Sequence, residues 1–592
     1  MLELARRFFG RFRLNLIVGP ACKLVEVCFD LMTPILVARM IDRGVAAHDL
    51  SAVVSYGCLL GVFALVGIGF ALVCQKMASR ASQGIGTDVR SALYRHINRL
   101  SYAELDRFGT PSLITRLTND VNQVQLAVAL AIRQLVRWPF LAVGSVVAAL
   151  LIDVQLGLIF LVSAPIIAGV FWFVMARCVP CYRKLQEKLD RIGLLTRQGL
   201  SGVRVIRAFA REGRERKLFG AAADDQAATA IAVGKLSAVL NPVTFLVMNL
   251  SICCILWVGG WKVEVGGLTQ GEVTAFVNYM TQTLLSIVYV ANLVVVFTKA
   301  GASAARINEV LDCAPSIVDG PGALGHPSPA AAPAIELDHV TFSYPGSPAA
   351  ALDDVSLRLG QGQTLGIIGG TGSGKSTLVN LLPRLYDVTG GRLSLFGADV
   401  RTWKLPELRA AIGVVPQMAS LVSGTIRSNL CWRDEGAADW ELWRALEIAQ
   451  AADFVRAKPE GIDAPVEAGG KNFSGGQRQR LTIARALVGA PRLLVLDDSS
   501  SALDFKTDAA LRRAIKAEAF ERAAASDPLT TVIVSQRVST VRSSDLILVL
   551  QHGRPVGLGT HEGLLAACEA YREIVQSQES SGGAPAREGG AA

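Results

Sequence analysis

Gly369-Gly370-Thr371-Gly372-Ser373-Gly374-Lys375-Ser376-Thr377 is the stretch that decides the fold of this 592-residue chain. It fits the phosphate-loop pattern G-x-x-x-x-G-K-[ST]. An apolar run at 364–368 predicts a buried strand before it, and a helical pattern at 377–382 follows it. In that context the glycines let backbone N–H groups face a triphosphate, Lys375 reaches the terminal phosphates, and Ser376 ligates Mg²⁺. The stretch therefore predicts an α/β domain that binds a nucleotide.

The composition of the rest of the chain indicates a membrane protein. Apolar residues make up 51% of the chain and charged residues 18%, with a mean hydropathy of +0.39. A bilayer-spanning helix needs ~20 apolar residues. Six such segments are predicted at about 15–38, 52–75, 134–153, 155–178, 240–260 and 273–297.

The net charge of +9 could suggest a nucleic-acid partner, but its distribution follows the membrane spans. Lys and Arg cluster in the long connections between spans two and three and between spans four and five, whereas the loop around Asp153 has none. The positive-inside rule then places both long loops, both termini and the nucleotide domain in the cytoplasm. We expect a multi-pass protein of the plasma (inner) membrane, bacterial in origin, and no nucleic-acid partner.

Five regions are predicted along the chain, and the long loops are expected to be helical extensions of the spans. The regions are a basic amphipathic helix at 1–14, a six-span domain at 15–319, a Pro/Gly/Ala-rich linker at 320–334, the α/β nucleotide domain at 335–578 and a disordered tail at 579–592. The long loops are expected to turn near 108–111 and 210–219. The eleven cysteines show no disulfide framework, so the lone C-x-x-C of Cys178 and Cys181 is interpreted as reduced thiols.

A second motif lies before an acidic strand end. The run Asn472-Phe473-Ser474-Gly475-Gly476-Gln477 precedes Asp497, which ends the apolar strand predicted at 492–497. In phosphate-loop proteins such an acid holds Mg²⁺. With Phe473 in place of leucine, the run matches the LSGGQ signature, so the sequence resembles the ATP-binding-cassette (ABC) family. That resemblance implies that the loop contacts the γ-phosphate of a nucleotide held by the opposite subunit.

The resemblance implies further roles and two cofactors, ATP and Mg²⁺. Tyr344 would stack on adenine, Gln417 would sense Mg²⁺ and contact the coupling loops, and Ser501-Ala502-Leu503-Asp504 would cross to the partner site. The expected nucleotide contacts are Tyr344, Gly369, Gly370, Thr371, Gly372, Ser373, Gly374, Lys375, Ser376, Thr377, Ser474, Gly475, Gly476 and Gln477. The expected metal contacts are Ser376, Gln417 and Asp497, and the expected catalytic residues are Gln417, Asp498 and Gln536.

Two of these positions depart from the family pattern. Asp498 stands where the family has the glutamate that polarises the attacking water, and it is one methylene shorter. Gln536 stands where the family has a histidine, and a neutral amide cannot become cationic beside the developing charge. A misplacement of ~1 Å can cost ~10²-fold in rate. Together the two changes predict a degenerate site that binds ATP but hydrolyses it poorly.

The predicted protein is therefore one half of a heterodimeric ABC exporter of amphipathic, lipid-like or drug-like molecules. Its partner would be a second half-transporter with Glu and His at the equivalent positions. Two alternatives remain: an exporter of a defined metabolite such as a thiol or peptide, and a regulatory subunit that gates a channel on binding ATP. Lys23, Glu26 and Asp30 lie on one face of the first span, either lining a cavity for cationic substrates or forming an ion-pair ladder.

Overall fold

The computed structural model describes residues 2–322, 332–499 and 502–582. The chain forms two compact units. The first comprises the described parts of Met1–Asn98 and Thr110–Cys313, and the second those of Arg99–Gly109 and Ala314–Ala592. Most of the linker predicted at 320–334, most of the tail predicted at 579–592, and Ser501 of the predicted crossing loop lie outside the described residues.

Twelve α-helices lie between Leu2 and Leu311. They are α1 (Leu2–Phe8), α2 (Arg13–Met40), α3 (Leu50–Ile97), α4 (Tyr102–Phe108), α5 (Thr110–Thr115), α6 (Val121–Arg133), α7 (Arg137–Ile152), α8 (Val154–Ser201), α9 (Val203–Ala208), α10 (Glu212–Ala238), α11 (Leu240–Glu264) and α12 (Gln270–Leu311). All belong to the first unit except α4, which belongs to the second.

The long helices of the first unit account for the six predicted spans. Five helical segments in the described residues are long and apolar enough to cross a membrane: α3, α5–α7, α8, α10–α11 and α12. The sixth, α2, has 28 residues and carries the charged positions of the first predicted span. At ~1.5 Å per residue the 48 residues of α3 reach ~72 Å, far beyond a ~30 Å hydrocarbon core. The membrane-helical part of the predicted fold class is confirmed.

One of the two predicted turns in the long loops lies at a different position in the structure. Gly109, at φ 72°, separates α4 from α5, within the first predicted turn. The second turn lies between the end of α8 and the start of α10, at 202–211, and it contains α9. The predicted turn at 210–219 was therefore placed too late. Its apolar side chains belong to the first turns of α10, whose Glu212 and Glu215 suit a helix N-terminus.

The N-terminal segment also differs from the single amphipathic helix expected at 1–14. The helix α1 ends at Phe8, and α2 already begins at Arg13. Leu4 is fully buried in a cluster with Cys74 and Ile85 of α3. Burial of this apolar side chain fixes α1 against the helical unit, so Leu4 does not face the membrane surface.

The described residues of the second unit contain twelve strands. They are β1 (Ile335–Phe342), β2 (Leu352–Leu359), β3 (Thr364–Gly369), β4 (Gly390–Leu395), β5 (Ala398–Asp399), β6 (Ile412–Val415), β7 (Gly424–Thr425), β8 (Pro465–Val466), β9 (Leu493–Asp497), β10 (Thr530–Val534), β11 (Leu546–Gln551) and β12 (Arg554–Gly559). They form a six-stranded sheet, β12-β11-β3-β10-β9-β6, a four-stranded antiparallel sheet, β2-β1-β4-β5, and the pair β7-β8.

Ten further helices lie in the part of this unit that the structure describes. They are α13 (Lys375–Leu381), α14 (Leu405–Ala411), α15 (Ile426–Leu430), α16 (Asp439–Ile448), α17 (Ala452–Arg456), α18 (Gly475–Leu487), α19 (Phe505–Ala524), α20 (Val538–Val541), α21 (His561–Ala567) and α22 (Glu569–Gly582). The α/β part of the predicted fold class is confirmed. The helix α22 continues through Gly582, into the region assigned to the tail at 579–592.

The order of the larger sheet brings the functional segments to one edge. The strands β3, β10 and β9 are parallel neighbours, in that order. Their carboxyl ends therefore meet at the same edge, which is where open α/β sheets bind ligands. The phosphate loop follows β3, Asp498 follows β9, and Gln536 follows β10 by two residues.

The boundary of the second unit lies earlier in the chain than the predicted linker. The N–H of Gly320 donates to the carbonyl of Trp403 at 3.0 Å, and the Asp319 carboxylate accepts from the N–H of Leu405 at 2.9 Å. These bonds attach the residues after Cys313 to the α/β unit.

Candidate functional site

The phosphate loop forms a sharp turn that only glycine accommodates at two positions. Gly372 has φ 78° and Gly374 has φ 98°, both in the left-handed region. A Cβ on Gly374 would lie 2.7 Å from the carbonyl oxygen of Ala351. The backbone can therefore curve directly into α13, whose first residue is Lys375. The helix N-terminus adds positive potential to the exposed N–H groups of this turn.

The Lys375 side chain is folded inside the loop. Its Nζ donates to the carbonyl oxygens of Gly369 at 2.9 Å and Gly370 at 2.7 Å, and lies 3.4 Å from Ser373 Oγ. The residue is 8% exposed, and burial lowers the pKa of its ammonium group. Carbonyl oxygens compensate a buried cation only in part. An anionic phosphate is a better partner, so the geometry fits Lys375 as a phosphate ligand.

Ser376 and Asp497 supply two oxygens that could share a cation. Ser376 Oγ donates to Asp497 Oδ1 at 3.2 Å. Asp497 is 7% exposed at the end of β9, and burial raises the pKa of its carboxyl group. Hydroxyl and carboxylate oxygens are the ligands that Mg²⁺ prefers. The donor set therefore fits Mg²⁺, with substrate phosphates and water completing the coordination.

Asp498 is the meeting point of the three predicted catalytic residues. The side-chain amides of Gln417 and Gln536 each donate to Asp498 Oδ2 at 3.5 Å, the outer limit of hydrogen bonding. Asp498 is half-buried, and burial raises the pKa of its carboxyl group. Both of these amide donors are neutral side chains.

Tyr344 lies beside the phosphate-loop helix. Its hydroxyl is 3.2 Å from Thr377 Oγ1, so the ring is fixed next to the first turn of α13. The ring meets Phe342 edge-on at 4.9 Å and Tyr386 at 5.4 Å between centroids. It is half-buried, and its position suits an aromatic platform for a base adjacent to the phosphates.

The signature loop forms the N-terminus of α18. Ser474 Oγ accepts from the N–H of Gln477 at 3.3 Å, and Gln477 Oε1 accepts from the N–H of Ser474 at 3.0 Å. This reciprocal capping box leaves Ser474 and Gly475 exposed. No hydrogen bond among the residues that the structure describes joins 474–477 to the phosphate loop. The two predicted phosphate-binding motifs are thus separate within one chain.

Sequence reasoning missed two residues, Tyr386 and Asp106. Tyr386 Oη donates to Asp106 Oδ2 at 2.6 Å, which attaches α4 to the α/β unit. Burial, and then the Asp106 carboxylate, raises the pKa of the Tyr386 hydroxyl. The same ring contacts Tyr344, so the predicted adenine platform and α4 share one neighbour. The isolated sequence Arg384-Leu385-Tyr386-Asp387 carries no signal for this role.

Lys23, Glu26 and Asp30 of α2 all take part in ion pairs. Lys23 Nζ lies 2.6 Å from Glu26, and Arg137 of α7 lies 2.8 Å from Glu26 and 3.0 Å from Asp30. Two cations therefore balance two anions. This arrangement favours the ion-pair ladder over a cation-binding cavity. Arg137 belongs to this ladder, but it lies on α7, so the sequence of α2 alone did not predict it.

All eleven cysteines lie in the described residues and are free. Cys178 is buried, and Cys181 is partly buried on the same helix, α8. Among the described residues no group of His, Cys, Asp and Glu side chains could hold a metal ion by itself.

Two family comparisons match different parts of the chain. The ABC transporter transmembrane region matches residues 16–288, within the helical unit except for the segment of α4. The ABC transporter family matches residues 352–501, which contain the phosphate loop, the signature loop and β9.

Similar proteins span nearly the whole chain. An uncharacterized ABC transporter ATP-binding protein of Mycobacterium tuberculosis is 38% identical over 98% of this chain and 99% of its own length. The ATP-dependent lipid A-core flippase of Syntrophus aciditrophicus is 29% identical over 98% of this chain and 94% of its own. A multidrug efflux ATP-binding/permease protein of M. tuberculosis is 30% identical over 95% of this chain but only 46% of its own.

Proposed function

The chain belongs to the ABC transporter family, and from that premise we propose that it is the degenerate-site half of a heterodimeric exporter. It is a multi-pass membrane protein with a cytoplasmic ATP-binding domain that couples ATP hydrolysis to transport. The proposal concerns how ATP binding and ATP hydrolysis are divided between the two subunits. This chain holds one ATP in a weakly hydrolytic site and supplies its signature loop to the competent site of a partner half-transporter.

The observation that carries the proposal is the environment of Asp498. Its carboxylate is the base nearest the site, and the side chains at the positions of interest that contact it, Gln417 and Gln536, are neutral amides. Burial raises the pKa of the Asp498 carboxyl group, which makes it a stronger base. We therefore attribute the proposed weakness of the site to the short reach of the side chain. A shorter side chain holds the carboxylate farther from an attacking water, and Gln536 adds no cation to offset charge in the transition state.

Nucleotide retention is assigned to the residues that remain intact. Lys375 and the loop N–H groups would hold the phosphates, and Tyr344 would hold the base. Ser376 and Asp497 would hold Mg²⁺, which neutralises phosphate charge when bound. Gln417, which contacts Asp498 here, would lie within reach of the same ion. ATP held in this way stabilises the closed pair of domains by mass action even when turnover is slow.

Two findings support a partner. The capping box at Ser474 and Gln477 exposes the signature loop, and nothing in the described part of this chain uses it. The multidrug efflux relative is about twice as long as the matched part, so it has room for a second unit of this size. We propose that a separate half-transporter with Glu and His at the equivalent positions fills that place.

The substrate class is proposed from the relatives and the membrane unit. Two of the relatives are named for lipid A-core flipping and for multidrug efflux. We propose that this chain exports amphipathic, lipid-like or drug-like molecules from the cytoplasm or the inner leaflet. An exporter of a single thiol or peptide would transport that compound alone. An ATP-gated regulatory subunit would show nucleotide-dependent conductance without substrate accumulation.

The test compares ATP hydrolysis by the purified chain alone with that of the Asp498→Glu/Gln536→His variant, both in lipid vesicles. The wild-type chain should be nearly inactive, and the variant should gain about tenfold or more, because both missing groups are restored. A Lys375→Ala version of the variant is the control, since it should lose the gain. Rapid turnover by the wild-type chain alone would refute the degenerate site.

A further inference from the structure

The C-terminal helix α22 brings a glutamine side chain to the segment that carries Gln536. The Oε1 atom of Gln578 accepts from the N–H of Val538 at 2.8 Å, and its Nε2 atom donates to the carbonyl oxygen of Gln536 at 2.7 Å. One side-chain amide therefore binds the backbone on both sides of Arg537. We call this pair of hydrogen bonds the Gln578 clamp.

The packing of α22 fixes the place of Gln578. Tyr571 and Val575 are buried in one apolar cluster with Val538 and Val541 of α20. Tyr571, Val575 and Gln578 are spaced i, i+4 and i+7, so the three side chains lie on one face of the helix. The apolar contacts of the first two residues therefore hold Gln578 beside the start of α20.

The clamped segment connects the end of β10 at Val534 to the start of α20 at Val538. Within the described residues, the N-cap residue Arg537 makes no side-chain cap hydrogen bond, so Gln578 supplies the acceptor for the first N–H of α20. The Gln536 side chain reaches Asp498 only at 3.5 Å, the outer limit of hydrogen bonding. The two bonds of the clamp are within the normal range, so the clamp holds Gln536 more firmly than Asp498 does.

The clamp acts on the residue that stands in place of the family's histidine. We propose that Gln578 is a positioning residue, which holds the backbone at Gln536 so that the Gln536 amide can donate to the γ-phosphate of ATP. The inference rests on the proposed nucleotide site, whose γ-phosphate contact it explains, and not on the slow turnover of that site. A neutral amide binds a phosphate less strongly than a cation does, so its contribution depends on how well it is positioned.

The test measures the preference for a γ-phosphate, defined as the affinity for a non-hydrolysable ATP analogue divided by the affinity for ADP. Both affinities are measured by calorimetry with Mg²⁺ on the full-length chain in phosphatidylcholine nanodiscs. Gln536→Ala removes the amide and should lower the preference about tenfold. Gln578→Met keeps the length and helix propensity of the side chain but removes both bonds, and it should lower the preference about fivefold. The affinity for ADP should stay within about a factor of two, because ADP lacks the phosphate that Gln536 would contact.

Two further variants separate positioning from a general effect on α22. Gln576→Met places the same substitution at an exposed position two residues earlier, ~200° around the helix, and should keep the wild-type preference. Gln536→Ala/Gln578→Met should have the same preference as Gln536→Ala alone, because no amide remains to be positioned. An unchanged preference in Gln578→Met would overturn the inference. So would an equal loss in Gln576→Met, additive losses in the double variant, or a parallel loss of affinity for ADP and the analogue.

Hydrogen exchange tests the clamp without a nucleotide. The Val538 amide should exchange about fivefold faster in Gln578→Met and at the wild-type rate in Gln576→Met. Equal rates in the two variants would overturn the clamp.

The binding data also distinguish this inference from the proposed function. If Lys375→Ala still binds the analogue normally, the proposed nucleotide site is wrong, and the inference that rests on it is wrong too. If Lys375→Ala loses binding while Gln578→Met keeps the wild-type preference, only the positioning role is wrong. Rapid ATP hydrolysis by the chain alone would contradict the degenerate site but would leave these results unaffected, because the analogue is not hydrolysed.

Discussion

The N-termini of α13 and α18 are both suited to bind an anion, but they are constructed differently. At α13 the turn depends on Gly374 at φ 98°, and the groups around it come from the ends of three strands. At α18 the cap is local, because Ser474 and Gln477 bond each other. The first site can therefore be weakened by changes on neighbouring strands, such as those at Asp498 and Gln536. The capping box of the second site does not involve those two side chains.

This difference would allow one chain to combine the proposed weak site with an intact signature loop. The α13 site packs on a core that includes Leu378 and Val534, and the α18 helix packs on another that includes Phe473 and Leu481. The capping box does not use the side chains at the sheet edge, although Leu494 and Leu496 of β9 share the core of α18. The two regions should therefore respond to mutation independently when the assembled transporter is assayed.

The largest expected effect is at the signature loop. Ser474→Arg in this chain should reduce ATP hydrolysis by the heterodimer about a hundredfold or more, because the bulky side chain blocks the phosphate contact in the partner's site. Steady-state ATPase activity measures it. Thr560→Arg, at the N-cap of α21, is the control for the loss of a helix cap alone. Comparable losses from both variants would contradict the assigned role.

The next effect concerns the base platform. Tyr344→Ala should weaken ATP binding to this chain by about 1–3 kcal/mol if the ring stacks on adenine. Tyr344→Phe keeps the ring and removes only the hydroxyl contact with Thr377, so it should bind nearly as well. Calorimetric affinities of the two variants provide the measurement. An unchanged affinity in Tyr344→Ala would exclude an adenine platform.

A smaller effect is expected at the attachment of α4. Tyr386→Phe removes the bond to Asp106 and should destabilise the docked state of α4 by about 1 kcal/mol. Hydrogen exchange of the α4 amides should accelerate accordingly, whereas exchange in α18 should not change. Tyr571→Phe, which removes the hydroxyl contact with His561, is the control within the same unit. If α4 exchange is unaltered, the Asp106 bond does not hold this helix.

The smallest effect is expected at the degenerate site. Asp498→Asn should leave heterodimer hydrolysis within about a factor of two, because the competent site performs the chemistry. The measurement is the steady-state ATPase activity, and the loss caused by Asp498→Asn is compared with the loss caused by Ser474→Arg. Losses of similar size would show that Asp498 is itself a working base.

Local patterns sufficed for the parts of the site that are contiguous in the chain. The phosphate loop was recognisable because its glycines, Lys375 and Ser376 act within one turn. The boundaries of α1 and of the second turn were misplaced because helix packing, such as that of Leu4, decides where a helix ends. Neither Asp106 nor Arg137 was predicted, since each acts on a residue more than a hundred positions away.

The sequence by itself determined the fold class, the six apolar segments and the two departures at Asp498 and Gln536, because these follow from composition, periodicity and short motifs. Only the tertiary structure decided which side chains meet. It paired Asp30 with Arg137 and joined Tyr386 to Asp106. The physical reason is that a contact between distant residues depends on how helices and strands pack, and packing depends on the whole chain.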